Sequence, residues 1–244
     1  MCGRFTLKTP APKLAEFFLV SSLPQLSPRF NIAPTQLIIC IRAATGRDAG
    51  REAVAMKWGL IPFWAKDTST GSRMINARSE TVSEKRAFRK AFEIRRCIIP
   101  ADGFYEWQKK TTRVRQPWFI HMADDTVFGF AGLWESWKPP GRDKRIESCT
   151  ILTTTANGDL EDLHERMPVI LPIEKQATWL SDSASAGQLQ HLMQPLSDGV
   201  LVRHPVASLV NKVTNDQPEC MEPITIPELP DQWTKQQTQK NLFD

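Results

Sequence analysis

Residues 96–107 read RCIIPADGFYEW and contain two strand-like runs, at residues 97–100 and 104–108. Turns that carry basic residues, proline or glycine follow at residues 109–116 and 139–144. Further strand-like runs lie at residues 37–42, 53–58, 118–122, 127–134, 149–155, 168–171 and 201–206. This spacing of short apolar runs and turns predicts antiparallel hairpins.

Helical patterns are fewer and shorter than the strand-like runs. Pro12, followed by Leu14, Phe17 and Phe18, predicts a short amphipathic helix that ends before Pro24. Three more helical segments are predicted, at residues 83–92, 174–180 and 188–194. Together these elements predict an α+β fold with a mainly antiparallel, barrel-like β core and a few flanking helices.

The composition is that of an ordinary globular protein. Of 244 residues, 41% are hydrophobic and 24% are charged, which excludes collagen-like, low-complexity and wholly disordered chains. No apolar run approaches the roughly 20 residues that a membrane-spanning helix needs. The first residues do not resemble a signal peptide. We therefore expect a cytoplasmic protein, or a nuclear one in a eukaryote, with no membrane partner.

The net charge of +4 is small but unevenly distributed. Residues 73–96 contain eight Lys or Arg residues and three Glu residues, so the remainder of the chain is slightly acidic. A basic run is most often a solvated helix face, and such a face is also what a phosphate backbone binds. The five cysteines lie far apart and lack zinc-site spacing, so we predict no metal, no other cofactor and no disulfide framework.

Cys2 differs from the other cysteines because it becomes the first residue if Met1 is removed. Its α-amine, with a usual pKa of about 7.7–8.0, would then be partly neutral near pH 7. A 1,2-aminothiol condenses with an aldehyde to an imine, and the thiol then closes a thiazolidine ring. Removal of Met1 is also ordinary before a small residue, and Cys2 lies outside the predicted strands.

Glu106 is a candidate acid or base because it lies between the bulky side chains of Tyr105 and Trp107. The alternative is a carboxylate that points to solvent, since strand alternation puts the two aromatic residues on the opposite face.

His164 and Asn76 are further candidates. His164 lies among charged residues just before an apolar run, which suits acid–base work, although a lone histidine is more often structural. Asn76 could orient a sugar hydroxyl or a carbonyl, or simply form a turn. Arg78 suits phosphate contact.

Residues 58–64 read WGLIPFW and place aromatic side chains in a stretch interrupted by glycine and proline. Exposed aromatic rings there could stack on unpaired bases, and buried ones would belong to the core.

Several motifs, taken in order, resemble one family, the SOS response-associated peptidase (SRAP) family of abasic-site processing proteins. The matching blocks are residues 1–5, 31–35, 58–62, 76–81, 96–107, 131–134, 164–168 and 204–211. The resemblance covers residues 2–224, which we predict to form one domain followed by a polar tail at residues 225–244.

The resemblance implies a covalent mechanism. Met1 is removed by autoproteolysis, and Cys2 then forms a thiazolidine crosslink with an abasic site in single-stranded DNA, which shields the lesion. Asn76 holds the sugar and Cys2 in register, Glu106 shuttles protons, and His164 assists opening of the sugar ring. The residues that match DNA contacts are Arg4, Trp58, Pro62, Phe63, Trp64, Arg73, Arg78, Lys85 and Arg86.

The last residues suggest a second partner. Residues 239–243, QKNLF, resemble the short peptide by which bacterial proteins bind the replication sliding clamp. Leu242 and Phe243 would fill an apolar pocket and Gln239 would bind its rim, although Lys240 replaces a usually apolar residue. Nothing in the sequence requires more than a monomer.

Two other functions are compatible with the same residues. The first is a thiol peptidase that uses Cys2 as nucleophile, His164 as base and Glu106 as orienting group. The second is a non-catalytic reader of single-stranded or modified DNA that uses only the basic segment and the aromatic residues.

Overall fold

The computed structural model describes residues 2–24, 26–44, 50–109, 115–141 and 143–226. In chain order its elements are β1 (Arg4–Leu7), α1 (Ala11–Phe18), β2 (Arg29–Ile32), β3 (Leu37–Ala43), β4 (Arg51–Trp58), β5 (Asn76–Arg78), α2 (Arg89–Ile94), β6 (Arg96–Ala101), β7 (Gly103–Lys109), β8 (Arg115–Met122), β9 (Phe128–Trp137), β10 (Ile146–Thr155), β11 (Arg166–Pro168), β12 (Ile170–Leu171), α3 (Ile173–Leu180), α4 (Ala186–Leu192) and β13 (Leu201–Pro205). No helix within these ranges is both long and apolar enough to cross a bilayer.

Five strands close into a barrel in the order β4, β3, β6, β9 and β10, and β10 returns to pair with β4. Closure leaves no free edge in this ring of strands. The remaining strands of this sheet are short, with β5 and β11 on β10 and β12 on β9. The predicted α+β fold with a barrel-like core is confirmed. Most strand pairs are antiparallel, as predicted, but β10 runs parallel to both β4 and β5.

The second sheet has the order β13, β8, β7, β1 and β2 and is antiparallel throughout. Its strand β1 pairs with β7 through Arg4 opposite Tyr105 and Phe5 opposite Phe104. Cys2 lies outside the strands, as expected, but it comes two residues before β1 and is fully buried in the main hydrophobic cluster. A four-residue strand is too short for its alternation to stand out in the sequence.

The chain passes from the barrel to the second sheet between β6 and β7. Asp102 accepts hydrogen bonds from the backbone N–H groups of Lys8 and Thr9, at 2.5 and 3.0 Å, and so ties the end of β1 to this crossing. At Gly103 a Cβ atom would collide with the Phe119 ring and lie 2.8 Å from the carbonyl oxygen of Ile120. Glycine is required there because β8 packs directly against the backbone.

Two predicted elements differ from the structure. The helix expected at residues 83–92 is only α2, Arg89–Ile94, since the preceding segment forms turns in which the Thr81 carbonyl accepts from both Glu84 and Lys85. The run at residues 168–171 divides into β11 and β12, which pair with different strands. Val169 lies between them. Its backbone N–H donates a hydrogen bond to the Leu152 carbonyl, and its carbonyl accepts one from the Ala131 N–H.

Arg96 is a buried cation that caps the C-terminal ends of two helices, α2 and α3. Its guanidinium donates to the carbonyl oxygens of Phe92 and Glu93 in the last turn of α2, at 2.7 and 2.5 Å, and to those of Trp179 and Ser181 at the end of α3, both at 2.7 Å. Carbonyls at a helix C-terminus lack partners within the helix, so Arg96 satisfies groups that burial would otherwise leave unpaired.

We expect Arg96→Met to lower the free energy of unfolding by about 3 kcal/mol, because it leaves several buried carbonyls without donors. Urea denaturation followed by circular dichroism measures this change. Arg89→Met, at an exposed position of α2, is the matched control and should change stability by less than about 0.5 kcal/mol. Equal stability of both variants would contradict the capping role.

Candidate functional site

Asn76 lies beside the N-terminal segment. It begins β5, where it pairs with Ile151 of β10, so the alternative of a turn-forming asparagine is wrong. Its side-chain N–H donates to the backbone carbonyl oxygen of Cys2 at 2.9 Å. Its Oδ1 atom is buried and finds no hydrogen-bond partner among the described residues. Asn76 therefore holds Cys2 in place and keeps one acceptor for another group.

Glu106 faces the same region from β7. Tyr105 and Trp107 do share the opposite face, with ring centroids 6.4 Å apart, as alternation predicts. The side chain of Glu106 does not point to solvent, however, because the residue is only 8% exposed. Its negative charge lies close enough to Cys2 to act on the thiol. The solvent-facing alternative is wrong, since both faces of β7 are covered.

The Cys2 thiol is held in its protonated form. Burial, and then the charge of Glu106, raise the pKa of this thiol far above its usual value. The thiol lies 3.8 Å from the carbonyl oxygen of Arg4, a weak hydrogen bond. A protonated thiol can add to an electrophile only if a nearby group accepts its proton.

His164 lies in the loop that joins β10 to β11. Its Nδ1 atom accepts a hydrogen bond from the backbone N–H of Arg166 at 3.0 Å, which leaves the ring proton on Nε2. Because β5 pairs with residues 151–153 of β10 and β11 with residues 153–155, Asn76 and the His164 loop flank the same end of β10.

Arg4 is engaged in structural contacts on the surface side of β1. It donates to Asn31 Oδ1 at 2.8 Å, to the Val210 carbonyl at 2.7 Å and to the Asn211 carbonyl at 3.3 Å. Partial burial lowers the pKa of this guanidinium. Its guanidinium carbon also lies 6.0 Å from the Trp107 ring centroid. A phosphate contact by Arg4 stays a prediction and would use its remaining N–H groups.

The aromatic segment at residues 58–64 divides into a buried and an exposed part. Trp58 and Pro62 are buried, and Trp58 Nε1 donates to the Ile75 carbonyl at 3.0 Å. The prediction that Trp58 stacks on DNA is therefore wrong, because its ring belongs to the core. Phe63 and Trp64 are 59% and 41% exposed, and the Arg86 guanidinium lies 5.4 Å from the Trp64 ring centroid.

Six of the eight cations in residues 73–96 are exposed, and we name these six together the basic surface: Arg73, Arg78, Lys85, Arg86, Arg89 and Lys90. Two members of the segment are excluded from it. Arg95 pairs with Glu135 at 2.7 Å, and Arg96 is the buried helix cap described above. The contact between Arg86 and Trp64 joins the basic surface to the exposed aromatic residues.

Sequence reasoning missed an ion pair near the site. Arg166 donates through two nitrogens to the two carboxylate oxygens of Glu80, at 2.6 and 2.9 Å. Both residues lie in motif blocks, at residues 76–81 and 164–168, but alternation and spacing do not reveal a pair so far apart in sequence.

Two other expectations concern groups away from this site. No cluster of three His, Cys, Asp or Glu side chains suited to a metal occurs in the part of the chain that the structure describes. The clamp-like residues Gln239, Leu242 and Phe243 lie outside the described residues, so clamp binding stays a prediction.

Comparison with known proteins identifies relatives along nearly the whole chain. The model of the SOS response associated peptidase (SRAP) family matches residues 1–213. The abasic site processing protein YoqW of Bacillus subtilis is 42% identical over 226 residues, which cover 91% of this chain and 99% of YoqW. The abasic site processing protein HMCES of Rattus norvegicus is 30% identical and is matched over 91% of this chain and 76% of its own length.

Solved structures agree with this assignment. A protein from Bacteroides thetaiotaomicron has the same fold, with a TM-score of 0.80 at 24% identity over 92% of this chain and 100% of that one. A protein from Bordetella bronchiseptica gives a TM-score of 0.71 at 28% identity over 84% and 100% of the two chains. The match of the family model to residues 1–213 and the identity to relatives along nearly the whole chain lead to one conclusion: the chain belongs to the SOS response associated peptidase (SRAP) family.

Proposed function

We propose that this protein captures abasic sites in single-stranded DNA as a thiazolidine formed by Cys2. The names of the relatives YoqW and HMCES support abasic-site processing. The observation that carries the covalent mechanism is the setting of Cys2. Its carbonyl is bound by Asn76 and its protonated thiol lies in the field of the Glu106 carboxylate.

The reaction begins when hydrolysis removes residue 1 and leaves the α-amine of Cys2 at the terminus. The ring-opened abasic sugar carries an aldehyde at C1′. The amine nitrogen attacks C1′, a C=N bond forms and water leaves. The thiol sulfur then adds to the same carbon, and the thiol proton is transferred to the nitrogen. The sum is one thiazolidine and one water, with no oxidant or cofactor required.

Glu106 supplies the proton transfer in this scheme. Because the pKa of the Cys2 thiol is raised, the sulfur cannot add to the imine until a base takes its proton. The Glu106 carboxylate is the nearby anion that acts on this thiol, and it returns the proton to the nitrogen. The buried Oδ1 atom of Asn76 accepts a hydrogen bond from a hydroxyl group of the sugar. The Nε2–H group of His164 assists ring opening by donating a hydrogen bond to the sugar.

A peptidase that acts on other proteins is less well supported. Such an enzyme attacks with a thiolate, whereas burial and the Glu106 charge raise the pKa of the Cys2 thiol. In our proposal the peptidase chemistry is limited to autoproteolytic removal of residue 1. We also propose that the protein acts as a monomer, in the cell compartment that contains the DNA. Residues 239–243 stay a sequence-based candidate for clamp binding.

The covalent mechanism predicts a heat-stable adduct of one protein with one abasic oligonucleotide, with a mass equal to their sum less one water. Denaturing electrophoresis and intact mass spectrometry detect it. Once residue 1 is removed, Cys2→Ala and Cys2→Ser should both give no heat-stable adduct, and only an imine that borohydride reduction traps, because each keeps the α-amine but lacks the thiol. Protein that retains residue 1 is the control and should also be inactive. Tight strand binding by the processed wild type without an adduct would favour the non-catalytic reader.

Glu106→Gln should slow adduct formation about 100-fold, because the proton relay is lost. Loss of the negative charge also lowers the pKa of the Cys2 thiol, so a reaction limited only by thiolate would become faster. Time courses on one abasic oligonucleotide separate these two effects. Glu84→Gln, which changes an exposed carboxylate, is the matched control, and an increased rate for Glu106→Gln would refute the relay.

Strand binding should depend on salt through the basic surface. Each phosphate contact to single-stranded DNA contributes about 0.7 to the slope of log K against log salt. The double variant Lys85→Gln/Arg86→Gln should therefore lower that slope by about 1.4. Fluorescence anisotropy across a salt series measures it. Lys138→Gln, exposed but outside the basic surface, should leave the slope unchanged, and an unchanged slope for the double variant would exclude these contacts.

A further inference from the structure

The ion pair between Glu80 and Arg166 has more contacts than an ordinary surface pair. Besides the two bonds to Glu80, Arg166 donates to the backbone carbonyl of Thr153 at 2.6 Å. The Arg166 side chain is only 13% exposed, whereas Glu80 is 47% exposed. Hydrogen bonds from Arg166 lower the pKa of the Glu80 carboxyl, so it is ionised at neutral pH. A bidentate pair of this kind fixes both the distance and the orientation of its partners.

These contacts connect three strands at one end of β10. Glu80 follows β5, Arg166 begins β11, and Thr153 lies between them, opposite Arg78 on one edge and Pro168 on the other. The Ser79 N–H donates to the same Thr153 carbonyl at 2.9 Å. The strand that begins with Asn76 is thus fastened to the strand that follows the His164 loop.

The same arginine also sets the orientation and the tautomer of the His164 ring. The Arg166 backbone N–H donates to His164 Nδ1, while the Arg166 side chain is held by Glu80 and Thr153. If the side chain loses its anchor, the backbone N–H can move away from the ring, and the imidazole can rotate or change tautomer. Fixing the guanidinium therefore fixes which nitrogen of His164 carries the proton.

We propose that Glu80 is a positioning residue that, through Arg166, holds His164 in register with Asn76 for opening the closed ring of the abasic sugar. This inference rests on the proposed function. In ring opening the C1′–O4′ bond breaks, C1′ becomes a carbonyl, and the proton of the C1′ hydroxyl is transferred to O4′. The Nε2–H group of His164 stabilises the developing charge on O4′ by donating a hydrogen bond, and no co-reactant is needed.

The test compares two oligonucleotides. One carries the natural abasic sugar, which is mostly a closed ring, and the other carries an acyclic alkyl aldehyde at the same position. Glu80→Ala should slow crosslinking of the natural site about tenfold, since small displacements of a catalytic group cost that much or more. The acyclic aldehyde should react within twofold of wild type, because it has no ring to open. Glu80→Gln, which keeps an acceptor oxygen for Arg166, should recover part of the lost rate.

Controls separate positioning from stability. Glu52→Ala removes a carboxylate that bonds Arg42 at 2.6 Å, far from His164 in sequence, and should leave both rates unchanged. Adding Glu80→Ala to His164→Ala should cause no further loss on the natural site, since the two residues act as one unit. Equal slowing of both oligonucleotides, or no slowing of either, would overturn the inference. Failure of the wild type to crosslink either oligonucleotide would instead refute the proposed function.

Discussion

The pairing of β1 with β7 is the constraint on which the candidate site depends. Terminal residues usually fray, because few contacts hold them. Here β1 lies between β7 and β2 in the second sheet, and its register with β7 is set by Arg4 opposite Tyr105. Cys2 lies two residues before the first residue of this strand, so the same hydrogen bonds that complete the sheet bring it close to Glu106 of β7.

Burial of Cys2 has a chemical consequence. A thiol whose pKa is raised by burial and by a neighbouring carboxylate stays protonated, and a protonated thiol reacts slowly with oxidants and alkylating agents. The arrangement is therefore suited to a nucleophile that acts only when an electrophile and a proton acceptor meet it together. In the proposed function Glu106 both keeps the thiol protonated and accepts its proton once the imine has formed.

Strand β10 organises the other half of the site. Its central part closes the barrel against β9 and β4, and its end carries β5 on one edge and β11 on the other. Asn76 and His164 thus take their positions from one strand of the barrel, with Arg166 fastening the two edges. Arg73 and Arg78 of the basic surface lie within three residues of Asn76 in sequence, so exposed cations flank a residue proposed to bind the abasic sugar.

The sequence by itself determined the strands and helices that are long enough for their apolar residues to repeat at a recognisable spacing. Strands β3, β4 and β6–β10, and helices α1, α3 and α4, follow from their apolar patterns, and the ordered motif blocks indicated the family. Only the tertiary structure decided the short strands β1, β2 and β5, the parallel pairing of β10, and the burial of Trp58 and Arg96. The reason is the same in each case. Alternation tells which side chains share a face of a strand, as it did for Tyr105 and Trp107, but not what covers that face. Whether Glu106 meets water or Cys2 is decided by a strand about one hundred residues away in sequence, which no local pattern can specify.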